Sequence, residues 1–179
     1  MTDAELIESS LDDGASFALV FDRHFPAIHR FIRGRIGAEL ADDLASETFA
    51  TAFRRRAAYD LTRPDAAPWL YGIAVNLLRQ HRRSEERRLK AYARAATVDP
   101  PGTGTADPLD ETVASALVAL GELDRNLILL YAWAGLSYEQ LADALDLPLG
   151  TVRSRLSRTR SKLRAHLEPA LAHGGGGSA

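Results

Sequence analysis

The sequence contains no cysteine, which excludes disulfide bonds and zinc sites built on thiolate ligands. No apolar run approaches the length of about 20 residues that a membrane-spanning helix needs. The first residues include Asp3 and Glu5 and lack the basic segment of a signal peptide. We therefore expect a soluble, cytoplasmic protein.

A large excess of charge of either sign is also lacking, since the formal net charge of the 179 residues is −2. This value averages over segments of opposite charge. Acidic residues concentrate in 3–13 and 107–124, whereas basic residues concentrate in 79–94 and 153–164. Such asymmetry predicts acidic segments that face another protein and basic segments that face nucleic acid, although acidic segments are more often plain solvated surface.

Apolar residues recur at helical spacing through most of the chain, and no stretch alternates apolar and polar residues as a half-buried strand does. This spacing predicts helices in 41–59 and 69–83. In 15–37 it predicts either one helix or two short helices separated at Pro26. Further helices are expected from residue 111 onward.

Proline and glycine interrupt the helical pattern in 95–110, which therefore is predicted to be a linker. The predicted fold class is all-α, with two small helical domains joined by a flexible linker and a helix-turn-helix in the second domain. The predicted domains are 1–94 and 111–173. The last segment, GGGGSA in 174–179, has the composition of a flexible tail or of an engineered linker.

The second domain contains the helix-turn-helix pattern. Ser137 followed by Gln140 is a capping-box sequence that starts a short helix. We expect that helix to end at Asp146, which tolerates the left-handed conformation, and Pro148 to precede the next helix. In the next helix we expect Val152, Leu156, Leu163 and Leu167 to face inward and Arg153, Ser154, Ser157 and Arg158 to face outward.

The charge of this second helix distinguishes two interpretations. An arginine-rich helix is often only a solvated surface. Here, however, every charged residue in 150–164 is basic, and the helix follows a tight turn. The second helix of such a motif enters the major groove of DNA, so we predict DNA binding.

The helix expected in 69–83 begins with an aromatic residue and continues with amide and guanidinium groups. Such groups can stack on unpaired bases and hold a phosphate backbone. Trp69 could equally be a core residue, because large aromatic side chains are usually buried. Residues predicted to be available to a ligand are Trp69, Tyr71, Asn76, Arg79, Gln80, Arg82 and Arg83.

In 41–59, Asp43 and Glu47 lie four residues apart on one helix face. Two carboxylates could hold a metal or perform acid-base chemistry, but no histidine or third carboxylate accompanies them on that face. A face that docks a basic protein partner is the better interpretation. The same helix is expected to place Leu44, Phe49, Ala52 and Phe53 inward.

Three stretches, in this order, resemble the extracytoplasmic-function (ECF) sigma factors, the two-domain class of bacterial RNA polymerase initiation subunits. They are DDLASETFATAFRR in 42–55, WLYGIAVNLLRQHRR in 69–83 and LSYEQLADALDLPLGTVRSRLSRTRSKLRAHL in 136–167. The GTVRSRL segment after a helix-turn-helix is the most specific of these matches. The resemblance covers residues 17–167.

The resemblance implies a protein that binds core RNA polymerase, recognises the minus-ten and minus-thirty-five promoter elements, and directs promoter opening. The largest polymerase subunit would present its clamp coiled coil to Asp43, Leu44, Glu47 and Phe53. The second-largest subunit would contribute its flap. An anti-sigma factor that covers these surfaces is a further implied partner.

The resemblance also implies which residues contact promoter DNA. A flipped base of the minus-ten element would be captured beside Trp69 and Asn76. Adjacent phosphates would be held by Arg79, Arg82 and Arg83. The minus-thirty-five element would be read in the major groove by Arg153, Ser154, Ser157 and Arg158.

Two other functions fit parts of the sequence. A stand-alone helix-turn-helix regulator would normally bind a palindrome as a dimer. An enzyme acting on nucleic acid would need a catalytic group such as His81 or the Asp43 and Glu47 pair. The five histidines are dispersed and form no recognisable site, so we expect no enzymatic activity, cofactor or metal.

Overall fold

The computed structural model of the chain describes the backbone of residues 1–93 and 108–174, and the side chains of 1–87 and 112–168. In these ranges all regular structure is helical, which confirms the all-α prediction. Most of the predicted linker 95–110 and nearly all of the tail 174–179 lie outside the described residues. The α-helices are α1 (Asp3–Asp12), α2 (Phe17–Ile36), α3 (Ala38–Arg55), α4 (Ala67–Ala93), α5 (Pro108–Val118), α6 (Glu122–Ala132), α7 (Tyr138–Leu145) and α8 (Leu149–Gly174).

The N-terminal module consists of α1 to α4, with α2, α3 and α4 packed on one another and α1 against α2. Helix α2 is continuous through Pro26, so the break allowed for at that residue does not occur. Val20 before the proline and Ile28 and Ile32 after it are all buried. This shared buried face favours one helix, which ends at Gly37 with φ of 82°.

Helix α1 was not predicted, because the acidic residues of this segment were interpreted as a charged segment without regular structure. Thr2 and Glu5 form a capping box: the Thr2 hydroxyl accepts from the Glu5 amide, and the Glu5 carboxylate accepts from the Thr2 amide at 2.7 Å. Leu6 and Ile7 are fully buried. The capping pair and this apolar face are the local signals that identify the helix.

The C-terminal module consists of α5 to α8, and α8 packs against α5, α6 and α7. The predicted capping box is present, because the Ser137 hydroxyl accepts from the Gln140 amide at 3.1 Å and the Gln140 side chain accepts from the Ser137 amide. Asp146 adopts the left-handed conformation with φ of 52°. The Pro148 carbonyl then accepts from the Val152 amide and opens α8. These groups build the predicted turn.

The two modules also pack on each other, through α4 and α7. Buried apolar residues of both modules belong to one contiguous cluster, with Leu70 and Val75 from α4 and Leu141 from α7. Gly72 lies where the helices meet, because a Cβ added there would come within 2.7 Å of the Ala144 carbonyl oxygen. Only glycine allows this backbone approach. The sequence predicts two modules but not this docking.

Candidate nucleic-acid interface

The first turns of α8 separate inward and outward residues as predicted. Val152 and Leu156 are fully buried, and Thr159 is buried beneath the same face. Four side chains that the sequence predicts as DNA contacts are exposed: Arg153, Ser154, Ser157 and Arg158. Three of them already have local contacts: Arg153 pairs with Glu139 at 3.9 Å, Ser154 Oγ donates to the Thr151 carbonyl at 3.1 Å, and Arg158 Nε donates to the Ser154 carbonyl at 3.2 Å. An external ligand would use their remaining donors or replace these contacts.

Two further arginines of α8, Arg155 and Arg160, have structural contacts inside the C-terminal module. Arg155 donates to the Asp124 carboxylate at 2.8 Å and fixes α8 to α6. Arg160 lies over the Tyr131 ring, with its guanidinium carbon 4.4 Å from the centroid, and donates to the Tyr138 hydroxyl at 3.2 Å. Sequence position alone does not distinguish these arginines from Arg153 and Arg158. Their partners lie on other helices.

Trp69 stands at the start of α4, half-buried beside a small cavity. Its ring centroid is 5.0 Å from that of Tyr59, and both residues line a cavity of about 190 Å³ with Arg63 and Asp143. Sites for drug-sized ligands usually span roughly 300–1,000 Å³, so this cavity is large enough only for a small group. Trp69 thus resembles a core residue in packing on Tyr59. It also resembles a ligand-binding residue, because it borders the cavity.

The loop before α4 is held by its own hydrogen bonds. The Tyr59 hydroxyl donates to the Arg63 carbonyl at 2.7 Å, and burial raises the pKa of Tyr59 to about 12. Asp60 accepts from the Thr62 hydroxyl at 2.6 Å, and these bonds from Thr62, followed by that from Arg63, lower the pKa of Asp60. The loop is therefore pre-organised around the Trp69 cavity.

Further along α4, the predicted polar face is largely exposed. Asn76, Arg82 and Arg83 are exposed, and Arg79 is half-buried. The prediction that Tyr71 is available to a ligand was wrong, because Tyr71 is buried and its ring meets Phe31 edge to face at 5.2 Å. Helical periodicity alone does not reveal that α2 covers this side of α4.

The described part of α4 also has partners in the C-terminal module. Arg79 pairs with Glu122 at 3.5 Å, and Arg82 reaches the same carboxylate at 3.9 Å. The Asp143 carboxylate pairs with Arg63 beside the Trp69 cavity. Sequence reasoning missed both acids, because they lie far along the chain from the arginines and no local pattern identifies them.

The acidic face of α3 is open. Asp43 and Glu47 are exposed, and Leu44 is half-buried. Glu47 accepts from Arg54 at 2.6 Å, and hydrogen bonds from Arg54 and Thr51 lower its pKa. The Glu47 carboxylate is thus held charged, and a basic protein partner would share it with Arg54 or displace that arginine.

Phe53 is not buried as the helical pattern predicted, since 36% of its surface is exposed. Its ring meets Phe17 edge to face at 5.4 Å and lies under the Arg56 guanidinium. Phe53 follows Leu44 by about two and a half helical turns, so the two side chains leave α3 on opposite sides. The four α3 residues therefore do not form one compact patch.

Asp3, His24 and Asp65 bring potential ligand atoms within 4.8 Å of one another. Asp3 already accepts from the Ala66 amide at 2.8 Å, lies 2.7 Å from His24 Nε2 and pairs with Arg23. Burial raises the pKa of Asp3, but these bonds outweigh burial and leave that pKa lowered. The cluster ties α1 to α2 and to the start of α4, and we interpret it as structural.

Arg35 at the end of α2 reaches the C-terminal module, where its Nη1 donates to the Asn126 side-chain oxygen at 2.5 Å. Its Nε and Nη2 atoms are buried without a hydrogen-bond partner among the described residues. Burial, followed by repulsion from Arg125 and opposed by Glu122, lowers the pKa of Arg35 to about 10. The guanidinium carbon also lies 4.7 Å from the centroid of the Phe31 ring, so the cation at this contact between the modules is only partly compensated.

Two family models match the chain over the two modules. The model described as Sigma-70 region 2 matches residues 20–88, and that described as Sigma-70, region 4 matches residues 110–163. The ECF RNA polymerase sigma-E factor of Escherichia coli (strain K12) is 30% identical to this chain, with 96% of this chain and 97% of that protein covered. The chain belongs to the ECF family of RNA polymerase sigma factors.

Further relatives agree with this assignment. The RNA polymerase sigma-H factor of Pseudomonas aeruginosa is 32% identical over 75% of this chain and 76% of its own length. The structure of CnrH in complex with the cytosolic domain of CnrY matches with a TM-score of 0.70 and 28% identity, covering 93% of this chain and 97% of CnrH. Sigma factor RpoE in complex with the anti-sigma factor NepR from Bartonella quintana shares the fold, with a TM-score of 0.68 and 24% identity over 85% of this chain and 96% of RpoE.

As an ECF sigma factor, the protein directs transcription initiation and is not an enzyme. The predicted family, fold class and function are confirmed, and the stand-alone regulator and the nucleic-acid enzyme are set aside. Helices α2 to α4 carry sigma region 2, and α5 to α8 carry sigma region 4. None of the described helices has the length and apolar character required to span a bilayer.

Proposed function

We propose that region 4 of this sigma factor reads the minus-thirty-five element through Arg153, Ser154, Ser157 and Arg158. The observation that carries this proposal is the division of α8, where Val152 and Leu156 are fully buried and the four polar residues are exposed. A recognition helix needs this division, because its inner face must hold it to the scaffold while its outer face meets base edges. Arginine can bond to guanine there through two donors.

In the same proposal, region 2 takes the minus-ten element as a single strand. Support comes from the Trp69 cavity of about 190 Å³, which Tyr59 and Trp69 line with aromatic rings on which a base could stack, and from the pre-organised loop around it. Beyond the cavity, the same helix carries the groups that would hold the strand. These are Asn76, Arg79, Arg82 and Arg83.

Core polymerase is proposed to bind the exposed acidic face of α3. Asp43 and Glu47 would meet basic residues of the clamp coiled coil of the largest subunit, with Leu44 contributing apolar contact. Phe53 leaves α3 on another side and would contact the polymerase only at the margin of this patch. Region 4 would contact the flap of the second-largest subunit.

The two functional domains are proposed to comprise residues 1–94 and 111–173. The protein is proposed to act with RNA polymerase in the cytoplasm. An anti-sigma factor is proposed as the regulatory partner. The structural relative CnrH supports a protein partner, since its structure holds the cytosolic domain of CnrY. On this chain, Trp133 is 64% exposed and lines a groove with Arg30 and Arg33, a suitable surface for an acidic partner carrying an apolar anchor.

Arg158→Ala tests the minus-thirty-five assignment. Loss of one bidentate base contact should weaken recognition of the upstream element by about 1–3 kcal/mol, while core polymerase binding stays unchanged. The measurement is in vitro transcription with core polymerase on promoters selected by the wild-type protein. Arg164→Ala is the matched control, because Arg164 is an exposed arginine further along α8. If Arg158→Ala lowers transcription equally on promoters with the selected and with altered upstream elements, Arg158 contacts a phosphate and does not read a base.

Asp43→Arg tests the polymerase-docking face. Reversing the charge places like charges opposite each other, so we expect weaker binding to core polymerase by about tenfold or more. The measurement is the affinity of labelled sigma factor for core polymerase at two salt concentrations. Asp22→Arg on α2 is the control, since it makes the same charge change at another exposed position. Unchanged affinity for the Asp43 variant would exclude this face from docking.

A further inference from the structure

A cavity lies where the end of α2 meets α5 and α6. Its volume is about 380 Å³, within the range of roughly 300–1,000 Å³ that is usual for small-ligand sites. Two arginines, Arg35 and Arg125, supply the charged part of its lining. Apart from Gly34, the remaining lining residues are apolar: Val113, Ala114, Leu117, Val118, Leu129 and Trp133. The cavity therefore combines an apolar surface with two positive charges.

The charge of Arg35 is poorly offset by the protein. Its Nε and Nη2 atoms are buried without a hydrogen-bond partner among the described residues. Burial, followed by repulsion from Arg125, lowers the pKa of Arg35 to about 10, and Glu122 opposes this shift only in part. The other groups that compensate Arg35 are the Asn126 side chain and the Phe31 ring. An anion bound beside this guanidinium would therefore be favourable.

Arg125 is held in place by backbone carbonyls at the end of α5. Its Nε donates to the Leu117 carbonyl at 2.7 Å, and its Nη2 donates to the carbonyls of Val118 and Leu120 at 2.7 and 2.9 Å. These oxygens satisfy the donors but carry no net charge, so the guanidinium remains a cation beside the cavity. Its position is fixed before a ligand arrives, which lowers the cost of binding.

The rim of the cavity is formed by two exposed apolar side chains. Val118 is 71% exposed and Trp133 is 64% exposed, and apart from Met1 these are the most exposed large apolar residues in the described part of the chain. A Cβ at Gly34 would lie 3.4 Å from the Trp133 ring, so this glycine leaves room for the ring beside α2. The two side chains offer the apolar part of a ligand a surface to cover.

We propose that this cavity binds a small amphipathic carboxylic acid, with its carboxylate at Arg35 and Arg125 and its apolar part against Val118 and Trp133. One negative charge is enough, because Glu122 already offsets part of the positive charge. Since the unpaired donors of Arg35 are covered by protein, its guanidinium turns toward the carboxylate as the ligand enters. None of the residues proposed to contact promoter DNA or core polymerase lines the cavity, so this inference is independent of those proposals.

Octanoate is the probe, because it joins a carboxylate to a short apolar chain. The sequence contains two tryptophans, so the full chain labelled with 5-fluorotryptophan gives two fluorine NMR resonances, which Trp133→Phe assigns. At neutral pH, octanoate should shift the Trp133 resonance in a saturable way. Octylammonium has the opposite charge and acetate lacks the chain, so neither should shift this resonance at the same concentrations.

Two variants test the charge and the volume of the cavity separately. Arg35→Met keeps the aliphatic stem and removes the charge, so octanoate should bind about tenfold more weakly or worse. Arg33→Met is the matched control, because it removes the same charge from an exposed position of α2 outside the cavity lining, and it should leave the affinity unchanged. Ala114→Phe fills the cavity from an exposed position of α5 and keeps both arginines, so it should abolish the shift.

Any of three results would overturn the inference. The first is a Trp133 resonance that octanoate leaves in place up to its solubility limit. The second is an equal shift with octylammonium, which would mean an apolar cavity that does not select an anion. The third is unchanged octanoate affinity in Ala114→Phe, a variant that remains informative even if Arg35→Met does not fold.

Discussion

Leu156→Ala should lower the free energy of unfolding by about 2–5 kcal/mol, which is a large part of the stability of a small helical domain. Leu156 is fully buried on the inner face of α8. That helix packs against α5, α6 and α7. Removing the isobutyl group takes away apolar burial and leaves a cavity at this junction. The measurement is urea unfolding followed by far-UV circular dichroism.

The neighbouring Ser157→Ala is the matched control for Leu156→Ala. Ser157 is exposed on the outward side of α8, so its removal should change stability by only about 0.5 kcal/mol or less. The two variants also separate folding from recognition. Leu156→Ala should lose promoter recognition together with structure, whereas Ser157→Ala should affect only recognition. An unchanged unfolding midpoint for Leu156→Ala would mean that α8 does not anchor region 4 through this face.

Asp3→Ala should destabilise the protein by roughly 3 kcal/mol, near the upper end of what an unsatisfied buried donor costs. The Asp3 carboxylate is buried, accepts from the Ala66 amide at 2.8 Å and lies 2.7 Å from His24 Nε2. The alanine variant leaves the Ala66 amide without its acceptor and releases α1 from the start of α4. Asp12→Ala, at an exposed position of α1, should have little effect.

The contribution of Asp3 should also depend on pH. Its pKa is lowered from the ordinary value of 3.8, because hydrogen bonds from Ala66, His24 and Arg23 outweigh the opposing effect of burial. Stability from its charge is therefore present above that ordinary value and is lost as pH falls through the lowered pKa. The stability difference between wild type and Asp3→Asn should shrink across this acid range. A difference that stays constant there would mean that Asp3 is not held charged in the fold.

Local patterns in the sequence predicted much of region 4. The Ser137 and Gln140 capping box, the left-handed Asp146 and the buried Val152 and Leu156 all follow from residues within a few positions of one another. The same logic would have identified α1, because Thr2 and Glu5 form an equivalent capping box. The acidic composition of residues 3–13 drew attention away from the capping residues and the apolar face of this helix.

Helical periodicity was less reliable for aromatic residues in region 2. It places Tyr71 outward and Phe53 inward, whereas Tyr71 is buried and 36% of Phe53 is exposed. Which side of a helix is covered depends on the helices that pack against it. For Tyr71 that neighbour is Phe31 of α2, whose contact is set by tertiary packing rather than by spacing along α4.

By itself, the sequence determined the helices, the turn of the DNA-binding motif, the division into two modules and the sigma-factor family, because each depends on neighbouring residues or on contiguous motifs. Only the tertiary structure decided how α4 and α7 meet at Gly72 and which acids face the arginines of α4. Glu122 and Arg79 are joined through space, and their pairing follows from the docking of two surfaces. Short-range patterns do not encode such a contact, since its geometry depends on every helix that lies between the two residues.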